Sequence, residues 1–165
     1  MTRLEDLSDF DMFLLLIGKL NYAWTNTESL LIHVIAGLSG MDKETATIVF
    51  LTLNTTRARI DLVERLSKLD KAAAARPSVL ALTGRIQKQS GLRNRYNHCI
   101  YAFDAEGGNP RSILMRISDR KDKLMIGQTS PLDQAAIKDV EAAIAEMAAI
   151  NQDIWRLIAK YGYPT

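Results

Sequence analysis

Apolar residues recur along most of this chain at alternating spacings of three and four, the period that gathers them on one face of an α-helix. The first seam reads Phe10, Leu14, Ile17, Asn21, Trp24, Glu28, Leu31, Ile35 and Leu38. It predicts a helix from Ser8 or Asp9 to about Leu38, stopped by Ser39-Gly40. Asn21 and Glu28 interrupt the seam with polar groups. Glu28 admits two readings. It pairs with an arginine at a helix edge, because buried carboxylates are rarely left unpaired, or it is a supporting group that orients an arginine of the motif described below. His33 lies between seams and suggests packing rather than chemistry.

Asp42 has the character of a helix cap, with Glu44 in the first turn. Ala46, Val49, Phe50 and Leu53 form the apolar face that follows. Asn54-Thr55-Thr56 predicts a kink or short break, after which Ile60, Val63, Leu66 and Leu69 carry the pattern to Lys71. Arg57, Arg59, Arg65 and Lys68 are expected to be solvated. Residues Ala72 to Pro77 close this pair, and Pro77 suits the first turn of a third helix reaching about Phe103. Gly84 and Gly91 within it suggest close approach of a neighbouring backbone.

Asp104 to Pro110 breaks the helical pattern. Ile113, Met115 and Ile117 then alternate with Ser112, Leu114 and Arg116, and the polar turn Ser118 to Asp122 leads to Leu124-Met125-Ile126. This predicts a β-hairpin over about 111–128. Ser130-Pro131 predicts the start of a last helix running to about Tyr161. Its seam is Ile137, Val140, Ile144, Met147, Asn151, Ile154, Ile158 and Tyr161, where the lone asparagine is of a kind that fixes register or oligomeric state. The expected fold is all-α: an up-and-down four-helix bundle, with a small hairpin inserted between the third and fourth long helices and residues 1–165 forming one domain.

Composition narrows the function. At 165 residues the chain is long enough to bury a core, and 47% apolar with 24% charged residues is a globular mix. Twenty-one basic against 19 acidic residues exclude a strongly basic nucleic-acid coat and leave room for a local positive site. The single cysteine, Cys99, excludes an internal disulfide or a cysteine zinc cluster. The apolar run Met12 to Ile17 follows Glu5, Asp6, Asp9 and Asp11 rather than a basic start, so no secretory signal is expected. No apolar run reaches the length of a membrane span. A cytoplasmic protein without membrane association is the expectation.

The densest chemistry lies in Arg93-Asn94-Arg95-Tyr96-Asn97-His98. The third-helix seam Val79, Leu82, Ile86 continues as Gln89, Arg93 and Asn97, before Ile100 and Phe103 restore it. Unpartnered polar groups cost about 1–3 kcal/mol each when buried, so this patch calls for a partner, a cavity or a ligand. Arginine offers a planar fork to phosphate oxygens, and a histidine titrating near neutrality moves protons. Donors beside a proton shuttle are what metal-free phosphodiester cleavage needs. Neither a Glu-x-x-His pair, a phosphate-binding glycine loop nor a dinucleotide fingerprint is present, and no cofactor is expected.

Arg93-Asn94-x-x-x-His98 resembles the Arg-x4–6-His signature of the HEPN superfamily, in which a polar residue follows the arginine late in a long helix of a helical bundle. Cys99 and Tyr101 depart from the small residue and aromatic that often follow the histidine there. The resemblance implies a metal-independent endoribonuclease, of a kind that often serves as a toxin with an antitoxin protein or in phage defence, with RNA as substrate and two motifs meeting across a homodimer. It makes Arg93 and His98 catalytic with Asn94 supporting them. Arg95, Asn97 and Tyr101 are candidates for holding RNA, and Glu28 for second-layer support. The alternative is a catalytically inactive bundle that binds a partner protein or a nucleotide.

Overall fold

The computed structural model describes residues 8–165, apart from the side chain of Arg120; residues 1–7, Glu5 and Asp6 among them, lie outside the described part. The chain is mostly helical, with one three-stranded antiparallel sheet. Helix α1 spans Asp9–Ser29, α2 Leu31–Ser39, α3 Lys43–Thr52, α4 Thr56–Ser67, α5 Arg76–Asn97 and α6 Gln134–Tyr161. Strand β1 is Cys99–Ala102, β2 Arg111–Arg120 and β3 Lys123–Pro131. These elements form two compact units: Met1–Asn21 with Ser90–Ile144, and Tyr22–Gln89 with Ala145–Thr165. Helices α1, α5 and α6 each contribute residues to both.

Local chemistry accounts for the helix ends. Ser8 Oγ accepts the Asp11 N–H at 3.1 Å and donates to the Asp11 carboxylate at 2.6 Å, a reciprocal cap on α1. A single residue, Leu30, separates α1 from α2, and Gly40 ends α2 with φ 79°, a conformation open to glycine. Asp42 caps α3 through the Thr45 N–H at 2.8 Å, which holds its carboxyl below the ordinary range. The expected break follows α3. Thr55 caps α4 through the Ala58 N–H at 3.1 Å, and the expected run to Lys71 becomes a 3-10 turn over Asp70–Ala72.

In the unit containing Tyr22–Gln89, most of the predicted seam residues face the core, although Leu69 at the end of one seam is 45% exposed. Trp24, Ile35, Phe50, Ile60, Val63, Val79, Ile86, Met147 and Ile154 are all buried. Both seam polar groups in this unit have partners. Asn151 Nδ2 donates to Thr27 Oγ1 at 3.3 Å, and Thr27 Oγ1 donates to the Met147 carbonyl at 3.3 Å. Arg59 is not solvated as expected: its guanidinium lies 4.0 Å from the Phe50 ring centroid and 3.3 Å from the Glu28 carboxylate. Neither Gly84 nor Gly91 meets a close backbone; among the described residues nothing comes within 4 Å of where a Cβ would stand.

Three further expectations need correcting in the other unit. The third helix ends at Asn97 and not at Phe103, because Cys99–Ala102 leave the helix as β1 and pair with β2 in the register Cys99↔Leu114 to Ala102↔Arg111. Ile100 and Tyr101 are residues that favour a pleated surface as much as a helical seam. The chain is mostly helical, as expected, but the predicted hairpin is two strands of a three-stranded sheet. Its longer partner strands run from Arg111↔Pro131 to Arg120↔Lys123, with a bulge between Leu114 and Ile117. Gly127 lies opposite that bulge with φ 72°. Ser130-Pro131 ends β3 instead of starting α6. The cap is Asp133, whose Oδ1 accepts the Ala136 N–H at 3.0 Å. Pro131 has no N–H to extend a ladder, so it closes the edge strand.

This assignment separates two variants. Asp133→Ala should cost about 1 kcal/mol through loss of the cap, while Ser130→Ala should leave stability within about 0.5 kcal/mol. Denaturant unfolding of both variants measures the difference, and equal losses would contradict the placement of the cap.

Candidate functional site

Five of the six residues in the central motif lie on the last turns of α5, and His98 forms the turn into β1. Tyr96 decides where that helix stops. Its ring is buried and meets Phe13 of α1 edge-on at 5.1 Å between centroids. Tyr101 follows at 6.2 Å from Phe13 and 5.4 Å from Phe10, and Phe103 lies 4.9 Å from Phe10. Such edge-to-face pairs add to the burial of their area. Once Tyr96 occupies this cluster, its carbonyl accepts from the Tyr101 hydroxyl at 3.3 Å and lies 3.5 Å from the Cys99 sulfur. The helix is thereby folded back on itself as a strand. Burial raises the phenols of Tyr96 and Tyr101 above their ordinary range, and the neighbouring Cys99 adds to the rise at Tyr101.

The backbone of His98 is held from two sides. Its N–H still donates to the Asn94 carbonyl at 3.1 Å, as in a helix, and its carbonyl accepts the Met115 N–H of β2 at 3.4 Å. The residue before it is tied to α1. Asn21 Nδ2 donates to Asn97 Oδ1 at 3.1 Å and Asn97 Nδ2 returns a bond to Asn21 Oδ1 at 3.0 Å. The polar interruption at Asn21 in the first seam is therefore the partner of Asn97, across 76 residues of chain.

The side chains divide into two sets. Arg93 Nη1 donates to Asn94 Oδ1 at 3.1 Å, so the asparagine amide helps orient the guanidinium. Arg93 is half-buried, whereas Asn94, Arg95 and His98 are exposed. Among the described residues the His98 imidazole has no hydrogen-bond partner, which leaves its ring nitrogens open to a ligand. Asn97 and Tyr101, two of the expected RNA-holding residues, have partners within the fold: Asn97 the Asn21 amide, and Tyr101 the Tyr96 carbonyl and an aromatic cluster. Those bonds tie both side chains into the fold. Glu28 belongs to the other unit, where Trp24 Nε1 donates to its Oε2 at 3.3 Å and Arg59 pairs with it. Of its two readings, pairing with an arginine is the one observed.

Sequence patterning passed over the strongest charge cluster. Arg85 donates to Glu146 Oε1 and to Asp153 Oδ2, both at 2.7 Å, and Arg156 reaches Asp153 at 2.5 Å. These residues occupy polar faces of α5 and α6, where no periodicity marks them. Hydrogen bonds from Arg85 hold both carboxyls below their ordinary range, and the two carboxylates keep Arg85 charged. All the groups are paired, so the cluster is a clamp. Among the described residues no three His, Cys, Asp or Glu side chains gather as a metal site, and no helix is long and apolar enough to cross a membrane. No family model, curated protein or solved structure matches the chain.

Two predictions follow from these contacts. Asn21→Ala removes one half of the reciprocal amide pair and should destabilise the protein by about 1 kcal/mol. In a proton–nitrogen correlation spectrum it should also shift the His98 and Cys99 amide signals, and unmoved signals would separate Asn21 from the site. The Glu146 and Asp153 carboxyls have lowered values in the folded state, so their stabilising contribution is present above the ordinary carboxylate range and is lost as pH falls through the lowered values. Wild type should therefore lose more stability than Arg85→Ala on acidification below about pH 5. Parallel acid titrations of unfolding free energy would show the steeper wild-type slope.

Proposed function

We propose that this chain is an RNA-cleaving protein of the HEPN type, with Arg93, Asn94 and His98 as its working residues. The observation that carries the reading is the junction at the end of α5. An arginine oriented by its neighbouring asparagine is followed one helical turn later by an exposed histidine whose backbone is held by α5 and β2. A site with fixed backbone and open side chains is prepared for a ligand.

The chemistry follows from those groups. His98 accepts the proton of a ribose 2′-hydroxyl as its oxygen attacks the adjacent phosphorus. Arg93 places its fork on the non-bridging oxygens, where negative charge builds up in the transition state. The bond to the 5′-oxygen breaks, that oxygen takes a proton, and the products are a 2′,3′-cyclic phosphate and a 5′-hydroxyl end. No step requires a metal. Exposed Arg95 on the same helix end is positioned to hold a neighbouring phosphate. By the HEPN resemblance, the helices belong to a four-helix bundle and two copies bring their motifs together. A toxin or defence role in the cytoplasm, with an antitoxin protein, is the setting that resemblance suggests.

One observation favours a second reading, a catalytically inactive module that binds a partner protein. The distal β2–β3 hairpin carries a run of exposed apolar side chains, the kind of surface that marks protein contact.

The test is cleavage of total RNA by purified protein in excess chelator. Wild type should cut and leave 2′,3′-cyclic phosphate ends, and His98→Ala and Arg93→Ala should each lose on the order of 10²-fold or more in rate. A folded wild-type protein that cuts nothing, or a His98→Ala variant as active as wild type, would sink the nuclease reading.

A further inference from the structure

Past the level of His98 the β2–β3 hairpin continues as an arm, and the arm carries a groove. The bulge between Leu114 and Ile117 bends β2, and Gly127, opposite it, presents no side chain. There the arm holds a cleft of about 590 Å³, within the range of small-ligand sites and roomy enough for a nucleotide. Leu114, Ile117 and Met125 give it apolar walls, and Arg116 and Asp119 give it charge. Ile117 is 65% and Met125 43% exposed, so these walls are open to a ligand. Arg116 and Asp119 are exposed as well, and among the described residues neither side chain has a hydrogen bond or ion pair. The groove adjoins the candidate site through the main chain. Leu114 pairs with Cys99, and the Met115 N–H reaches the His98 carbonyl at 3.4 Å.

We propose that this groove holds an unpaired RNA nucleotide next to the phosphate at His98, and that it favours a base bearing an exocyclic amine. The assignment rests on the RNA-cleaving reading and names what lies beside the cut. Arg116 supplies the phosphate contact, a planar fork for the non-bridging oxygens. The aliphatic walls suit the faces of a base that has left its stack and needs apolar contact in its place.

Asp119 sets the specificity. A carboxylate repels phosphate, so in a groove that takes RNA it calls for a donor on the ligand. The exocyclic amines of cytosine, adenine and guanine are such donors, and uracil has none. The surroundings remain positive: among the described side chains of residues 111–131, Arg111, Arg116, Lys121 and Lys123 outnumber Asp119 and Asp122. That balance draws a polyanion to the arm while leaving one acceptor inside the groove.

Fluorescence anisotropy with labelled 2′-O-methyl decamers of cytidine and of uridine tests this, because a probe without a free 2′-hydroxyl is bound but not cut. Wild type should hold the cytidine decamer roughly fivefold tighter. Asp119→Ala should lose that preference while binding the uridine decamer at least as tightly as wild type, a result that misfolding would not give. Arg116→Ala should weaken both decamers roughly fivefold and lower the log–log salt slope by about 0.7, one phosphate contact on a single strand. Lys138→Ala, at an exposed position of α6, should change neither quantity. Equal binding of the two decamers by wild type, or an Arg116→Ala variant that binds as wild type does, overturns the proposal. A wild type that binds neither decamer overturns it too and leaves the groove to a protein partner. Cleavage of unmodified RNA in chelator judges the nuclease reading apart. RNA cut equally by wild type and Arg116→Ala/Asp119→Ala sinks the groove and keeps that reading, whereas the expected binding without cleavage sinks that reading alone.

Discussion

The candidate site depends on the burial of one ring. Tyr96 is the buried residue of the motif, and its contact with Phe13 fixes the last turn of α5. A buried tyrosine contributes a large apolar area, and an edge-to-face partner about 0.5–1.5 kcal/mol more. That contact outweighs whatever a further helical turn would add, because helix propagation itself gains little per residue. With Tyr96 inward, its carbonyl is available to Tyr101, and the chain reverses as a strand at His98. The histidine is thus displayed at a corner, whereas a continued helix would have placed it on a polar stripe beside other side chains.

Much of this architecture was legible because amphipathic periodicity reports burial directly. The seams of α2 and α6 gave their cores, Asp42 gave its cap, and Asn54-Thr55-Thr56 gave the break; the first seam was misplaced before Trp24, where Phe13, Leu16 and Leu20 are buried and Leu14 is 42% exposed. The failures share a physical cause. Spacing of three and four cannot distinguish Ile100 and Phe103 at the end of a helix from the same residues in a short strand, since the period needs several turns to declare itself. Ser130-Pro131 satisfies the local rule for a helix start, yet the pairing of Ser130 with Ser112 in the sheet overrides it. Local preference sets a prior that cross-strand pairing can reverse.

At the site, residue type was legible and partnership was not. Arg93, Asn94 and His98 were singled out by chemistry; in the fold His98 is exposed and Arg93 donates to Asn94. Asn97 and Tyr101 belonged to the same donor-rich string, but their partners, Asn21 and the Tyr96 carbonyl, are a fact of the fold. Asn21 was visible as a flaw in a seam. Two flaws on different helices satisfying each other is a relation that one-dimensional periodicity does not carry. Glu28 and Arg59 repeat the lesson: a carboxylate on a seam announced a cation, without saying which one.

The same backbone also ties the site to the arm. Cys99 pairs with Leu114, and the N–H that follows, on Met115, goes to the His98 carbonyl. Met115 is also the first residue of the bulge that separates the exposed arm from the paired root of the sheet. Bulges bend and twist the strand that carries them, so the geometry that frees the arm and the geometry that seats His98 are set at one residue.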